Sequence, residues 1–467
     1  MSNEVVQQLI AELGGAVVLD EAALEASRED RSGHRAAERP LAVVRPGSIA
    51  EVQTTMRIAH ASRTPVVPRG AGTGLAGGAI ASPGAIVLDV SGMDRILEID
   101  EDDELAVVEP GVLNGALNAR LAASGLWFAP DPASREISSI GGNIATNAGG
   151  LLCAKYGVTR EAVLGLAVVL ADGRLIRTGR RTVKGVTGYD LTALLTGSEG
   201  TLGVIVEATV RLRPIPLGGP VTIAAAFPDV EAAAAACTAV TAAKLRPAIL
   251  ELMDAGSIAR IAEHLGAAAL VGTPLAGLAP GRAFVVAQCD DAGAEADAVA
   301  VAAVFEAAGG RTRRSGDVAE GERLLGIRRA MHPAMAARGE VLIEDVAVPR
   351  SKLAEMFRAI EAIGARHGVE IPTIAHAADG NLHPNFVYEG GEVPAHLWAA
   401  ADEMFRTAVR LGGTLTGEHG VGILKRRWLA DELGPDVFEL QQGVKRLFDP
   451  LGILNPGVMF EPAPPAR

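Results

Sequence analysis
The stretch PRGAGTGLAGGA, residues 68–79, most narrows what this chain can become. Glycines at 70, 72, 74, 77 and 78 leave no side chain longer than leucine after Arg69. Such a run permits positive φ and lets backbone N–H groups approach a ligand closely, as a diphosphate requires. No G-K-[ST] follows, so it is not a Walker loop. The glycine spacing and the lack of a following long helix also argue against a dinucleotide fingerprint. By itself the run reads equally well as a surface loop.

A second stretch tips the balance. DPASREISSIGGNIATNAGG, residues 131–150, joins further glycines to Ser, Asn and Thr and has few bulky apolar residues. It cannot order itself by burial, so something polar must order it. Two such stretches suit a long ligand with phosphates and a flat heteroaromatic end. A third, TGSEGTLGVI at 196–205, runs into a strand and suits the flat end.

Composition limits the partners. Net charge is −13 over 467 residues, the wrong sign for a nucleic-acid surface. Cys153, Cys237 and Cys289 are widely spaced with no C-x-x-C, which excludes an encoded zinc ribbon or iron–sulfur cluster. No apolar run approaches the ~18 residues of a membrane span, and the N-terminus lacks a signal-peptide core. The expectation is a cytoplasmic protein, or one peripheral to the inner membrane.

The elements alternate. Ser48 is placed to cap a helix before the TPVVPRG strand, and Asp172-Gly173 to turn a hairpin. Pro214, Pro216 and Gly218-Gly219-Pro220 mark the main boundary. Beyond it, strands such as TIAAAF, AILELM and AFVVAQC alternate with helices, one capped by Asp229. This predicts an α+β sheet domain with helices on one face.

One motif carries chemistry. IAHAADGNLH, residues 374–383, sets His376 and His383 at the feet of an Asp379-Gly380 turn. A hairpin there aims both imidazoles at one point. GEHGVG supplies Glu418 as a third donor. His2Glu with open positions suits Zn2+, with Mn2+ or Fe2+ as alternatives. The competing reading is a packed histidine and a turn-capping one. His419, next to Glu418, is expected to face a substrate as general base, a hydrogen-bonded loop histidine being the other reading. GIRRAMHP offers Arg328, with His332 one turn on along the same helix face, while a surface ion pair is the other reading of Arg328.

PVVPRGAGTGLAGGA, IGGNIATNAGG, KYGVTREAVLGLAVVLADG, GSEGTLGVI, HAADGNLHPN, TGEHGVG and FDPLGILNPGVMF occur in that order. Together they resemble the FAD-linked D-2-hydroxyacid dehydrogenase family, of the glycolate oxidase flavin subunit and D-lactate dehydrogenase type, with the p-cresol methylhydroxylase/vanillyl-alcohol oxidase flavin fold. The resemblance spans roughly residues 40–460. It implies an α+β protein with a two-subdomain FAD-binding domain. A ferredoxin-like α+β cap domain would follow, with C-terminal helices returning to the FAD domain. The expected divisions are a helical arm at 1–38, the FAD domain at 39–216, the substrate or cap domain at 217–446 and a returning segment at 447–467.

The resemblance also implies site residues. Pro68, Arg69, Gly70, Ala71, Gly72, Thr73, Gly74 and Leu75 would hold the diphosphate. Pro130, Asp131, Ser139, Gly142, Asn143, Thr146, Ala148 and Gly149 would line the cofactor, with Glu199, Gly203, Ile205 and, from the C-terminus, Asn455. Thr73 stands where some relatives attach flavin through histidine, so FAD is expected to be noncovalent. Arg328 would clamp the substrate carboxylate and Asn385 would contact substrate. Relatives acting on 2-hydroxyglutarate carry a lysine in the strand that here reads VLIEDVAV, with Ile343, Glu344 and Asp345. The acids would repel a second carboxylate, which favours glycolate or D-lactate. D-2-hydroxyglutarate, or non-redox chemistry of the alkyl-glycerone-phosphate synthase type, is the alternative, and a noncatalytic flavin-carrying subunit is a third reading. Electrons would pass to a quinone, cytochrome or iron–sulfur partner, and the chain would form a homodimer.

Overall fold
A computed structural model describes residues 2–461. Met1 and residues 462–467, the outer ends of the expected terminal segments, lie outside the described residues. The chain forms two compact units. One comprises residues 1–149, 157–215 and 418–467, and the other residues 150–156 and 216–417.

The first unit has two α/β layers. Strands Val17–Val18, Ala42–Val44, Ile86–Asp89 and Val66–Arg69 lie side by side in that order. The last three run parallel and are apolar where buried, as strands covered on both faces are. Helices Ser2–Leu13 and Ile49–Ser62 contribute Val5, Leu9, Val52 and Met56 to the adjoining core. Ser48 caps the second of these by accepting from Glu51 N at 3.3 Å, and Glu51 Oε2 accepts from Gly47 N at 2.6 Å.

The second layer is a five-stranded antiparallel sheet, ordered Ile96–Asp100, Leu105–Val108, Val204–Arg211, Val163–Val169, Leu175–Gly179. The expected hairpin is present, with Gly173 at φ +84° in its turn. Helices Asn114–Leu121 and Ile140–Thr146 bury Leu117, Leu121, Ile140 and Ile144 against this sheet.

The C-terminal segment completes the first unit from Glu418 onward, earlier than the expected 447. The segment is tethered from its start, where Val421 N and Gly422 N donate to Glu199, each at 2.7 Å, and Ile423 N donates to Ala76 O at 3.0 Å. Lys445 Nζ donates to Thr201 O and Leu454 O, each at 2.7 Å, and pairs with Asp449 at 2.6 Å. Leu454 forms a parallel bridge with Val66.

The second unit is built on an eight-stranded sheet. The strand order is Arg311–Arg314, Val221–Phe227, Ala283–Cys289, Ile249–Met253, Thr373–His376, Asn381–Tyr388, Glu340–Ile343, with Val346–Ala347 also on Asn381–Tyr388. Helices cover both faces, not the one face expected from sequence. All seven residues of Val221–Phe227 are buried, and alternate strand residues face opposite ways. Ala224 and Ala226 pack with Leu324, Leu325 and Ile327 of helix Val318–Arg329. Phe227, of opposite parity, meets Phe305 of helix Ala294–Ala307 edge-on at 5.9 Å. The three consecutive alanines of Val221–Phe227 keep this strand slim between the two helices.

Candidate active site
The histidine hairpin is set by register. Ile374 pairs with His383 and His376 with Asn381, so both imidazoles leave the same face of the sheet. Gly380 closes the turn at φ +87°, where a Cβ would lie 2.1 Å from Val348 O. The imidazole centroids are 5.0 Å apart with planes at 83°. Both residues are buried, at 6% and 5% exposure.

Glu418 follows Gly417 directly, at the peptide where the chain leaves the second unit. That point is fixed by a buried polar cluster. Asn381 Nδ2 donates to Asp345 Oδ1 at 2.5 Å and Val346 O at 2.9 Å, and Thr416 Oγ1 donates to Asp345 Oδ2 at 2.5 Å. A Cβ on Gly417 would lie 2.3 Å from Asn381 Nδ2, so the chain passes close against this cluster. One ligand atom each of His376, His383 and Glu418 lies within 4.8 Å of the others. Two imidazoles and a carboxylate are a donor set that can hold a divalent cation.

A residue that sequence reasoning missed stands behind this group. Glu251, in strand Ile249–Met253, is fully buried. Its Oε1 lies 2.6 Å from His376 Nδ1, and its Oε2 accepts from Arg328 Nε at 2.6 Å. Burial pushes the carboxyl up, but its two partners, His376 and Arg328, outweigh that and hold it below the usual range. The signal in the sequence was a lone glutamate at the centre of the apolar run AILELM.

Arg328 is thus neither a surface ion pair nor wholly committed. Its side chain is 14% exposed and ties to Glu251 through Nε alone among its described bonds. His332, expected on the same face, is solvent-exposed in helix Met331–Ala336. The helix is interrupted at Ala330, which breaks the assumed one-turn spacing. Asn385 is buried two residues beyond His383 on the same strand face, donating to Pro372 O and His383 O. Ile343 is its cross-strand partner. Glu344 and Asp345 are buried, and Asp345 is held by Asn381 and Thr416.

In the first unit the two glycine-rich stretches meet. A Cβ on Gly70 would lie 2.5 Å from Ser139 Oγ, and one on Gly141 would lie 2.9 Å from Pro110 O. Ser139 caps helix Ile140–Thr146 by accepting from Gly142 N. Residues 71–78 carry nothing larger than Leu75, with Gly72 and Gly77 at positive φ. This narrow, side-chain-poor cradle fits a cofactor diphosphate.

Several residues expected to line the cofactor serve as braces. Arg69 Nη1 donates to Ala79 O at 2.7 Å, folding back over its own loop. Asn143 Nδ2 donates to Ser138 Oγ while its Oδ1 accepts from Asn114. Asn455 Nδ2 donates to Gly78 O and Glu199 O. A Cβ on Gly203 would lie 2.4 Å from Val168 Cγ1, so glycine serves close packing there.

Glu199 is the most informative brace. Its carboxylate oxygens accept from Val421 N and Gly422 N, each at 2.7 Å, pinning the loop that carries Glu418 and His419. Burial pushes its carboxyl up to about 7, against the pull of those two amides and the Lys425 charge. Gly422, at φ +54°, lets the same loop lie on Ala76 O, which accepts from Ile423 N at 3.0 Å.

Known proteins align with both units. The description "FAD binding domain" matches residues 40–179, and "FAD linked oxidases, C-terminal domain" matches residues 220–459. The glycolate oxidase subunit GlcD of Bacillus subtilis is 39% identical, covering 90% of this chain and 89% of that protein. A D-lactate dehydrogenase of Archaeoglobus fulgidus is 38% identical over 91% and 92%. The solved structure of p-cresol methylhydroxylase shares the fold, with TM-score 0.81, 19% identity, and 98% and 97% coverage. An alkyldihydroxyacetonephosphate synthase structure does so with TM-score 0.74, 17% identity, and 97% and 84% coverage. With both halves matched and relatives of this identity along nine-tenths of its length, the chain belongs to the FAD-linked oxidases and is an FAD-dependent oxidoreductase of the p-cresol methylhydroxylase fold.

Proposed function
We propose that this oxidoreductase converts a small D-2-hydroxyacid, glycolate or D-lactate, to the 2-oxoacid with the help of a divalent cation. The observation carrying the reading is the convergence of His376, His383 and Glu418 ligand atoms within 4.8 Å. Support comes from relatives named glycolate oxidase subunit and D-lactate dehydrogenase.

When bound, FAD supplies a two-electron acceptor and the cation lowers the pKa of a substrate hydroxyl. His376, His383 and Glu418 would hold the cation, Zn2+ in the first instance and Mn2+ or Fe2+ otherwise. His419 would take the hydroxyl proton, so that the departing hydride leaves a neutral carbonyl behind. Arg328 would orient the substrate carboxylate through its Nη groups, because its Nε is already engaged by Glu251. Asn385 would contact the substrate from the strand.

The smallness of the substrate rests on Ile343. An aliphatic side chain stands beside Asn385, where a distal carboxylate would need a cation. Of the two acids expected to repel it, Asp345 is instead engaged by Asn381 and Thr416. Electrons would leave for a non-NAD acceptor such as a quinone, a cytochrome or an iron–sulfur subunit.

The test is a panel of D- and L-2-hydroxyacids with an artificial dye acceptor. Glycolate or D-lactate should turn over, with D preferred to L and 2-hydroxyglutarate poor. Equal use of both enantiomers, or no turnover by fully flavinated protein, contradicts the proposal.

A further inference from the structure
We propose that Glu251 is a positioning residue that couples the two halves of the hydroxyacid site. By this assignment it fixes His376 in the tautomer that can hold a cation and sets the direction of the Arg328 guanidinium. The inference rests on the cation-dependent reading above.

Glu251 sits at the centre of strand Ile249–Met253 and pairs in register with His376, so both side chains leave one face of the sheet. It has no exposed surface. Its two oxygens are divided, one to each limb, at 2.6 Å to His376 Nδ1 and 2.6 Å from Arg328 Nε. A guanidinium is permanently charged, and the carboxylate facing it only accepts hydrogen bonds. The proton between Glu251 and His376 therefore belongs to Nδ1. That leaves the lone pair on Nε2, the atom a metal needs.

The other limb follows the same logic. Engaging Nε fixes the plane of the guanidinium and leaves its Nη pair as a fork for a carboxylate. A pair that served stability alone would have no reason to place one of its oxygens on a cation-binding imidazole. One buried anion therefore orients the group that holds the cation and the group that holds the substrate's charge.

The experiment compares FAD-loaded wild-type protein with Glu251→Gln, each stripped of metal and titrated with Mn2+ and Zn2+. The amide keeps the size and removes the charge. Cation affinity should fall roughly 10- to 100-fold, and the KM for D-lactate at saturating metal should rise, with flavin content and absorption spectrum unchanged. Arg328→Gln should raise KM while retaining most of the cation affinity, which separates the limbs.

A measurement on the wild type does not depend on how the variant folds. Histidine-selective 15N NMR of the Zn2+-loaded protein should show His376 with its proton on Nδ1, and a proton on Nε2 overturns the assignment. Equal cation affinity of wild type and Glu251→Gln overturns the role of Glu251 alone. Failure of the wild type to bind either cation overturns the functional reading and this inference with it.

Discussion

His419 carries the heaviest chemical demand in this account, because proton removal must accompany loss of hydride. His419→Ala should retain FAD, as judged by absorbance, yet lower turnover of D-lactate roughly 100-fold or more. Near-normal turnover would remove it as the base. A different carboxyl sets a pH dependence of stability. Asp254 caps helix Ala255–Leu265, accepting from Ser257 N at 2.7 Å and Thr373 N at 2.9 Å. Burial nevertheless raises its pKa from 3.8 to about 6, against the pull of those bonds. The folded state then binds this proton more readily than the unfolded chain, so stability from this group is full below about pH 4 and is lost as pH rises through about 6. Asparagine can cap without titrating. Between pH 4.5 and 7.5, Asp254→Asn should therefore gain on wild type by roughly 1–3 kcal/mol in denaturant unfolding. A constant difference between the two proteins would contradict the assignment.

Strands and a helix carry His376, His383, Asn385, Glu251 and Arg328, and a loop adds Glu418 and His419. The 418–422 loop depends on Gly422, whose Cβ would lie 1.8 Å from Ala76 O, a backbone atom that cannot swing aside. Gly368 also has positive φ, at +65°, but open space around it. Gly422→Ala should displace the loop and lower turnover roughly 10- to 100-fold. Gly368→Ala should cost only about 1 kcal/mol of backbone strain and leave turnover intact. Similar kinetics for the two variants would show that the loop needs no such close approach. At this scale much was legible in the sequence. Ser48 and Asp229 announced helix starts, Asp172-Gly173 a hairpin, and Asp379-Gly380 the turn under the histidines. What failed were spacings across a break. Helix geometry was carried from Arg328 to His332 past Ala330, where the helix is interrupted. VLIEDVAV was read as one strand, but Glu344 and Asp345 separate Glu340–Ile343 from Val346–Ala347. The first break is local, since Pro333 has no N–H to give Arg329 O, whereas the second falls at Asp345, which is held by tertiary bonds from Asn381 and Thr416 that periodicity does not encode.

At the scale of the molecule, ordered motifs announced the fold family, but not how distant segments are tied together. Glu199, Asn143 and Asn455 fell in motifs expected to line the cofactor; Glu199 and Asn455 also brace loops that lie far apart in sequence, and Asn143 bonds Ser138 and Asn114. Glu251 was hidden by its context. A strand-central glutamate gains meaning only when one neighbouring strand and one helix bring His376 and Arg328 to it. Covering both faces of the second unit's sheet likewise follows from small side chains meeting across space, which a one-dimensional pattern leaves open. No helix among the described residues is long and apolar enough to cross a membrane.

The central claim is that two hairpin imidazoles and Glu418 hold a cation needed for hydroxyacid oxidation. The most direct measurement is anaerobic bleaching of the bound flavin by D-lactate or glycolate in protein verified by elemental analysis as metal-loaded, chelator-stripped, or reloaded. Bleaching should be rapid in loaded protein, at least roughly 100-fold slower in stripped protein, and restored on adding Zn2+ or Mn2+. Bleaching at the same rate in verified metal-free protein would contradict it.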